Sequence, residues 1–105
     1  MKSHWIKPNG DREEHDTPEE PDWEEMRKFV GGDLELVSVM FKGRACHMLV
    51  HAMGAILSLD VNKEATSIYH EGVVKPGCER RGIPYRAQDY PQIHGPAVVL
   101  EGLLQ

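Results

Sequence analysis

Hydrophobic residues spaced three and four positions apart mark the first element that the chain predicts. This stripe predicts a short helix that packs one face against a sheet. Its members are Trp23, Met26, Phe29 and Val30. Gly31-Gly32 predicts the end of this helix, because glycine readily takes the left-handed conformation at a helix C-terminus. The sequence is compatible with two start positions for this helix. Thr17 and Glu20 could form a capping box, or the helix could begin at Pro21 with acidic residues in its first turn.

Short runs rich in valine and leucine, separated by glycine or proline turns, predict the strands. The predicted strands cover residues 5–7, 12–15, 34–41, 44–51, 55–59 and 93–100. The second of these is highly charged, which is typical of an edge strand, and a turn over 8–11 pairs it with the first. Short turns at Lys42-Gly43 and Met53-Gly54 join the next three runs, which therefore predict an antiparallel three-strand meander.

Asn62 predicts the N-cap of a second short helix over residues 63–70, and Gly72 predicts its end. Ala65, Ile68 and Tyr69 are expected to face inward from it. Residues 73–92 carry three of the seven prolines and predict a long irregular loop, a type of segment that is often functional. We therefore expect one domain over residues 1–105 with an α+β fold. It combines a mainly antiparallel sheet (N-terminal strand or hairpin, meander, C-terminal strand) with two short helices.

Charge and composition narrow the class of partner. The chain has a net charge of −5, and residues 1–33 hold ten acids against five bases, while residues 34–105 hold seven of each. General binding to duplex nucleic acid is not expected, because such binding depends on phosphate neutralisation by Lys and Arg. No run approaches the length of a membrane span, and the start lacks a secretory apolar run, so we expect a cytoplasmic protein without membrane contact. A chain of 105 residues buries a modest core, and we therefore expect a homo-oligomer.

Four segments in order resemble a domain family of short proteins from phages and other mobile elements, common in actinobacteriophages. They are residues 6–10, the helix end at 30–32, residues 59–66 and residues 93–100. The chain departs from the family pattern at 50–54, where similar proteins place an Asn and an acid before the glycine. The resemblance implies an α+β fold and a phage origin, and hence the cytoplasm of a bacterial host. It implies no activity, and no residue roles are carried over.

The histidines and cysteines do not predict a metal site, a cofactor or a catalytic centre. His47 and His51 lie four apart on a predicted strand, about 13 Å from each other at ~3.3 Å per residue, too far to share one ion. Convergence of the other histidines across protomers stays open. Cys46 is expected to be a core residue. Cys78 is expected to be an incidental exposed thiol in the basic loop, although a nucleophile activated by nearby arginines stays open as an alternative.

The loop 78–90 is the predicted contact surface. Its candidate binding residues are Arg80, Arg81, Tyr85, Arg86 and Tyr90. Arginine forks hold phosphate or carboxylate, and tyrosine rings stack on bases or pack at protein interfaces. The leading hypothesis is a phage-encoded, non-enzymatic binding module that occupies a host or defence component. One alternative is an oligomeric protein that holds a nucleotide-like anion in a cleft with Arg80, Arg81 and Arg86. The least favoured alternative is a small hydrolase that uses Cys78 with a histidine.

Overall fold

The computed structural model describes residues 1–102, and a five-stranded sheet lies at its centre. The strands are β1 (Lys2–Ile6), β2 (Arg12–Asp16), β3 (Leu34–Phe41), β4 (Arg44–His51) and β5 (Ala97–Leu100). They form one antiparallel sheet in the order β2-β1-β5-β4-β3. The predicted α+β class is confirmed. The predicted domain span of 1–105 also includes residues 103–105, which lie outside the described part of the chain.

Helices cover both faces of the sheet. They are α1 (Trp23–Val30), α2 (Lys63–Tyr69), a π-helical turn (His70–Val74), α3 (Lys75–Arg81) and a short 3-10 turn (Ala87–Asp89). The two α-helices α2 and α3 are continuous through the π-helical turn, so residues 1–102 contain two helical bodies, as predicted, besides the 3-10 turn. Within residues 1–102, no helix is both long enough and apolar enough to cross a membrane.

Each face of the sheet has its own apolar cluster. The face under α1 is built on Trp5, Met26, Val30, Leu49, Val98 and Leu100. The face under α2 is built on Ile6, Val39, Phe41, Cys46, Met48, Val50, Ala65, Ile93, Ala97 and Val99. Ile68 and Tyr69 pack against this second cluster, which confirms the predicted inward face of α2. Strand β5 contributes to both clusters because all four of its residues are buried, as expected of a strand covered on both faces.

The start of α1 differs from both sequence-based alternatives. Asp22 is the N-cap, and its side chain accepts a hydrogen bond from the Glu25 backbone N–H at 3.1 Å. Thr17 is instead buried against Ser3, with 2.6 Å between the two hydroxyl oxygens. Trp23, predicted to pack on the sheet, is 39% exposed because the stripe meets the sheet only from Met26 onward. The predicted helix end is confirmed, since Gly31 caps α1 in the left-handed conformation.

Residues 55–59 do not form the predicted third strand of the meander. They fold into successive turns, in which the Leu57 N–H donates to Met53 O and the Leu59 N–H to Gly54 O. The outer side of β4 is already occupied by β5, which is the third antiparallel neighbour in place of this segment. Ile56 and Leu57 are consequently 74% and 58% exposed.

The helix that follows Asn62 does not end at Gly72, and the predicted irregular loop over 73–92 is wrong for its first half. The chain remains helical to Arg81 and ends at Gly82 in the left-handed conformation. Pro76 lacks the N–H that would bond to Gly72 O, and its ring would clash with that carbonyl in a regular α-helix. The π-helical turn before Pro76 accommodates this: the Lys75 N–H donates to His70 O, five residues back.

Candidate functional site

The segment predicted as the contact surface, residues 78–90, starts within α3 and runs back beside the helix. Arg80 and Arg81 lie in the last turn of α3, and Arg86 lies in the extended stretch before the 3-10 turn; all three are exposed. Tyr85 and Tyr90 are half-buried. We call this set of arginines and tyrosines the Arg/Tyr segment. The three arginines are exposed, and Arg81 Nε donates to Gly77 O of its own helix across 3.1 Å. The two tyrosines hold the segment to the helix.

Tyr85 is held by His70, which lies in the π-helical turn and is 4% exposed. His70 Nε2 lies 2.8 Å from Pro91 O, and a carbonyl oxygen only accepts, so Nε2 carries the proton. In the neutral imidazole, Nδ1 then accepts the hydrogen bond that the Tyr85 hydroxyl donates across 2.6 Å. One buried histidine therefore fixes the segment at two points, 15 and 21 residues along the chain.

Tyr90 is held by Cys78, whose Sγ lies 3.0 Å from the Tyr90 hydroxyl. This hydrogen bond, followed by partial burial, raises the pKa of Tyr90 above its ordinary value. A raised pKa fits a phenol that donates its proton to sulfur. Cys78 is 1% exposed, so the prediction of an exposed thiol is wrong: the continued helix turns Cys78 inward.

The two tyrosine rings are nearly parallel. Their planes are 11° apart and their centroids 6.1 Å apart, and both rings meet the His70 imidazole edge-on. The Lys75 ammonium lies 5.0 Å from the Tyr85 ring centroid, within cation–π range. These contacts fix the position of the tyrosine rings on the side of the segment that faces the helix, although the segment contains little regular secondary structure.

A cleft of about 720 Å³ opens between α2 and the segment 85–92. Its walls carry the two tyrosines, His70 and neutral hydrogen-bonding side chains. The latter are Thr66, Ser67, Gln88 and Gln92. Lys63 and Glu71 are the charged residues in its lining, whereas Arg80, Arg81 and Arg86 are not part of it. The cleft lies in the size range of small-molecule sites.

The segment 78–90 carries three arginines and two acids, Glu79 and Asp89, and hence a net charge of +1. Within residues 1–102, no carboxylate lies within 4.0 Å of Arg80, Arg81 or Arg86, whereas Arg12 and Arg27 each have an acidic partner. The whole chain is acidic, at −5, and its negative excess lies in residues 1–33. The segment 78–90 is therefore weakly positive on an acidic protein, and its arginines form no ion pair within the described residues.

A second polar cluster has the composition of a metal site. Ligand atoms of His4, Glu14 and Glu101 lie within 4.8 Å of one another. However, His4 Nδ1 faces an Arg12 guanidinium nitrogen at 3.2 Å, and guanidinium only donates, so Nδ1 must accept. His4 Nε2 then carries the proton, which it donates to Glu101 across 2.6 Å, and no lone pair remains for a metal ion. We therefore read the cluster as a hydrogen-bonded ion-pair network.

The other histidines and Cys46 lie apart from the Arg/Tyr segment. His94 Nδ1 bonds to Leu59 O, and His51 Nδ1 accepts the Met53 N–H, so both rings take part in local backbone structure. Cys46 is 1% exposed in the core, as predicted, and burial raises the pKa of its thiol. The spacing and charge of 78–90 indicated the arginines and tyrosines, but they did not indicate His70.

His70 was not among the candidate binding residues, although one local signal for it exists. A histidine followed six residues later by a proline within one helical stretch indicates a distorted turn, and such π-helical turns are frequent at functional sites. The pairing of Cys78 with Tyr90 had no such signal, because it depends on the helix continuing past Gly72.

No model of a known protein family matches the chain, and no curated protein or solved structure matches it either. The resemblance to the phage domain family stays a prediction.

Proposed function

We propose that the protein is a non-enzymatic binding module whose contact surface is the Arg/Tyr segment, and that it acts by occupying a partner protein with an acidic surface. The observation that carries this proposal is a set of three exposed arginines, which form no ion pair within residues 1–102, on a segment held by partly buried hydrogen bonds. A prearranged surface loses little conformational entropy on binding, which favours affinity.

The composition of the surface supports a protein partner. Arginine and tyrosine are enriched at the centres of protein interfaces, and Ile83, 45% exposed between the arginines, adds an apolar contact. Opposite charge on the partner would steer the encounter and speed association. In keeping with the resemblance to phage proteins, we propose that the partner is a host or defence component in the bacterial cytoplasm.

A photocrosslinking amino acid at Ile83 tests this proposal in the intact chain. We expect one discrete protein adduct in bacterial lysate, and its loss when Arg80, Arg81 and Arg86 are changed to Glu. The same amino acid at Asn9, in an exposed turn outside the segment, is the matched control and should give no such adduct. Equal adducts from both positions, or none from Ile83, would contradict the proposal.

A second candidate is sequestration of a nucleotide-like anion, and the cleft of about 720 Å³ favours it. The tyrosine rings offer stacking faces, Gln88 and Gln92 offer amides of the kind that pair with base edges, and Lys63 offers a cation. The arginines lie outside the lining, so this candidate assigns the anion to Lys63 rather than to them.

Calorimetric titration with ADP and with inorganic phosphate tests the second candidate. Binding of ADP that is lost in Gln88→Ala and Lys63→Ala but kept in Arg80→Ala would support the cleft as the site. Native mass spectrometry of the gently purified chain adds an unbiased readout, because a retained ligand would appear as a mass adduct. If neither ADP binding nor a mass adduct is observed, the sequestration candidate is contradicted and only the protein-binding proposal remains.

The third hypothesis, a hydrolase with a Cys78 nucleophile, has no geometric support. A nucleophilic thiol must be reachable and lie beside a base, whereas Cys78 is 1% exposed and bonded to a phenol. We retain the expectation of a non-enzymatic role.

We also propose that the chain self-associates, because association lets a small domain bury additional apolar surface.

A further inference from the structure

The two edges of the sheet are protected to different degrees. Strand β2 forms one edge, and all five residues of its sequence Arg-Glu-Glu-His-Asp are exposed and four of them are charged, which discourages pairing with another strand. Strand β3 forms the other edge with the sequence Leu-Glu-Leu-Val-Ser-Val-Met-Phe, in which Glu35 is the sole charged residue. It contains neither proline nor lysine, the usual protective residues of an edge.

The backbone groups that point away from the sheet can be assigned along β3. The hairpin turn Lys42-Gly43 joins Phe41 to Arg44, and two-residue turns of this kind close on a hydrogen-bonded pair. At the other end of β3, the Ala52 N–H donates to Asp33 O, so the odd-numbered Asp33 also bonds toward β4, as Phe41 does. The odd-numbered residues of β3 therefore bond to β4, and the N–H and C=O groups of the even-numbered residues point outward.

Only one end of this edge is covered. A Cβ built on Gly72 would lie 2.4 Å from Met40 O and 2.9 Å from Met40 N, so the π-helical turn lies directly against the outward groups of Met40. Within residues 1–102, no backbone hydrogen bond from outside the β3–β4 ladder reaches Leu36 or Ser38. Residues 34–38 are thus an open edge.

Exposed apolar side chains lie on and beside the open edge of β3. Leu36 is 49% exposed at its centre. The turn that follows β4 begins beside Leu34, the partner of His51, and presents Ile56 and Leu57 at 74% and 58% exposure. Ala52 and Ala55 of this turn share a groove of about 490 Å³ with Leu36. Large apolar side chains beside an unpaired strand are typical of a covered interface.

We propose that the open edge of β3 is the self-association surface of this protein, on which β3 of a second copy adds antiparallel about a two-fold axis at Leu36. In this register Leu36 faces Leu36 of the partner subunit as a hydrogen-bonded pair, and Leu34 faces Ser38 of the partner subunit. Glu35 faces Val37 of the partner subunit, so like charges do not stand directly opposite each other. The two sheets become one continuous sheet of ten strands.

The charge distribution permits a second copy at this edge. Strand β2, which carries Glu13, Glu14 and Asp16, lies four strand spacings from β3, about 19 Å at ~4.8 Å each. The exposed acids at the β3 edge itself are Asp33 and Glu35. In the ten-stranded sheet the two β2 strands would lie nine spacings apart, about 43 Å at ~4.8 Å each. This exceeds the Debye length of about 8 Å at physiological ionic strength, so the β2 edges of two copies would be screened from each other. The Arg/Tyr segment is not used in this pairing, and it stays available in the dimer.

Sedimentation equilibrium of the full chain over a concentration series tests the proposal. We expect a dimer for the wild type and a dissociation constant raised by roughly tenfold or more in Leu36→Lys, because a lysine on the edge removes an apolar contact and opposes pairing. Ile83→Lys is the matched control: Ile83 is 45% exposed, and this variant should remain dimeric. A monomeric wild type, or a Leu36→Lys variant that is as dimeric as the wild type, would overturn the proposal.

Disulfide trapping tests the register. In Leu36→Cys the two new thiols would stand in a hydrogen-bonded pair with Cα atoms about 5.5 Å apart, within reach of a disulfide. In Ser38→Cys they would be displaced by about 13 Å along the strands, too far to bond. The native Cys46 and Cys78 are buried and should give little background. Trapping of Ser38→Cys in preference to Leu36→Cys would overturn the pairing, and neither result bears on the Arg/Tyr segment.

Discussion

The Tyr85 hydroxyl lies 2.6 Å from His70 Nδ1, which joins the segment after α3 to the π-helical turn that precedes it. His70 also donates to Pro91 O, so its imidazole fixes a closed loop between the two contacts. Arg86 lies between these two contacts, and without this histidine it would be carried on a mobile connection, whereas Arg80 and Arg81 lie in the last turn of α3. The buried imidazole, together with the bond between Cys78 and Tyr90, therefore gives the Arg/Tyr segment a defined shape.

The first prediction concerns this hydrogen bond. Tyr85→Phe leaves His70 Nδ1 buried without a partner, and we expect a loss of about 1–2 kcal/mol in the free energy of unfolding. Trypsin should also cut faster after Arg86, because the segment opens locally more often. Urea denaturation and timed proteolysis measure the two effects. Tyr69→Phe is the control, and an equal effect in both variants would mean that the His70 contact is not responsible.

The second prediction compares two glycines of the same helical body. Gly72→Ala should cost about 1–3 kcal/mol, because its Cβ would lie 2.4 Å from Met40 O and the helix or β3 must move. At Gly77 the nearest atoms would be ends of arginine side chains at 3.6 and 3.8 Å. Gly77→Ala should therefore stabilise the fold by about 0.5–1 kcal/mol through helix propensity. Thermal unfolding of both variants measures the difference, and a stabilising Gly72→Ala would contradict the close approach to β3.

The third prediction concerns stability at acid pH. The hydrogen bond from His4 lowers the pKa of Glu101 below its usual value of 4.5. The unfolded state then binds more protons than the folded state between the two pKa values, so stability rises with pH in that range. The contribution of Glu101 is complete above about pH 4.5 and is lost as pH falls through the lower, folded pKa. Urea denaturation from pH 6 downward should show a steeper loss in the wild type than in Glu101→Gln.

Glu13→Gln is the control for this pH series. Glu13 is exposed, with 72% of its side chain accessible, and its removal should leave the acid slope close to that of the wild type. An unchanged slope in Glu101→Gln would mean that the His4 contact does not favour the charged carboxylate.

The fourth prediction concerns the two thiols. Both are buried, so alkylation of the folded wild type at neutral pH should be slow at Cys46 and at Cys78. Tyr90→Ala removes the ring above Cys78 and should raise labelling there while leaving Cys46 unchanged. Peptide mass mapping measures each site, and Cys46 serves as an internal control. Fast labelling of Cys78 in the wild type would contradict its burial.

Local sequence determined the elements whose geometry is set within a few residues. Gly31 ends α1 and Asn62 caps α2 because a left-handed conformation and a side-chain acceptor act on neighbouring backbone groups. The charged β2 edge and the Lys42-Gly43 hairpin follow in the same way. The α+β class needed no more than these signals and the strand runs between them. The arginines of the proposed contact surface were likewise selected from their spacing and charge.

Tertiary structure decided the features that depend on residues far apart in the chain. Gly72 reads as a helix stop, yet the helix continues because the glycine lets the π-helical turn lie against the Met40 backbone of β3. That continuation buries Cys78 under Tyr90 and places His70 within reach of Tyr85. The sequence of residues 55–59 predicts a strand, but these residues form turns because β5 already pairs with the available side of β4. In each case a packing contact between distant segments outweighed a local preference that is worth a kilocalorie per mole or less.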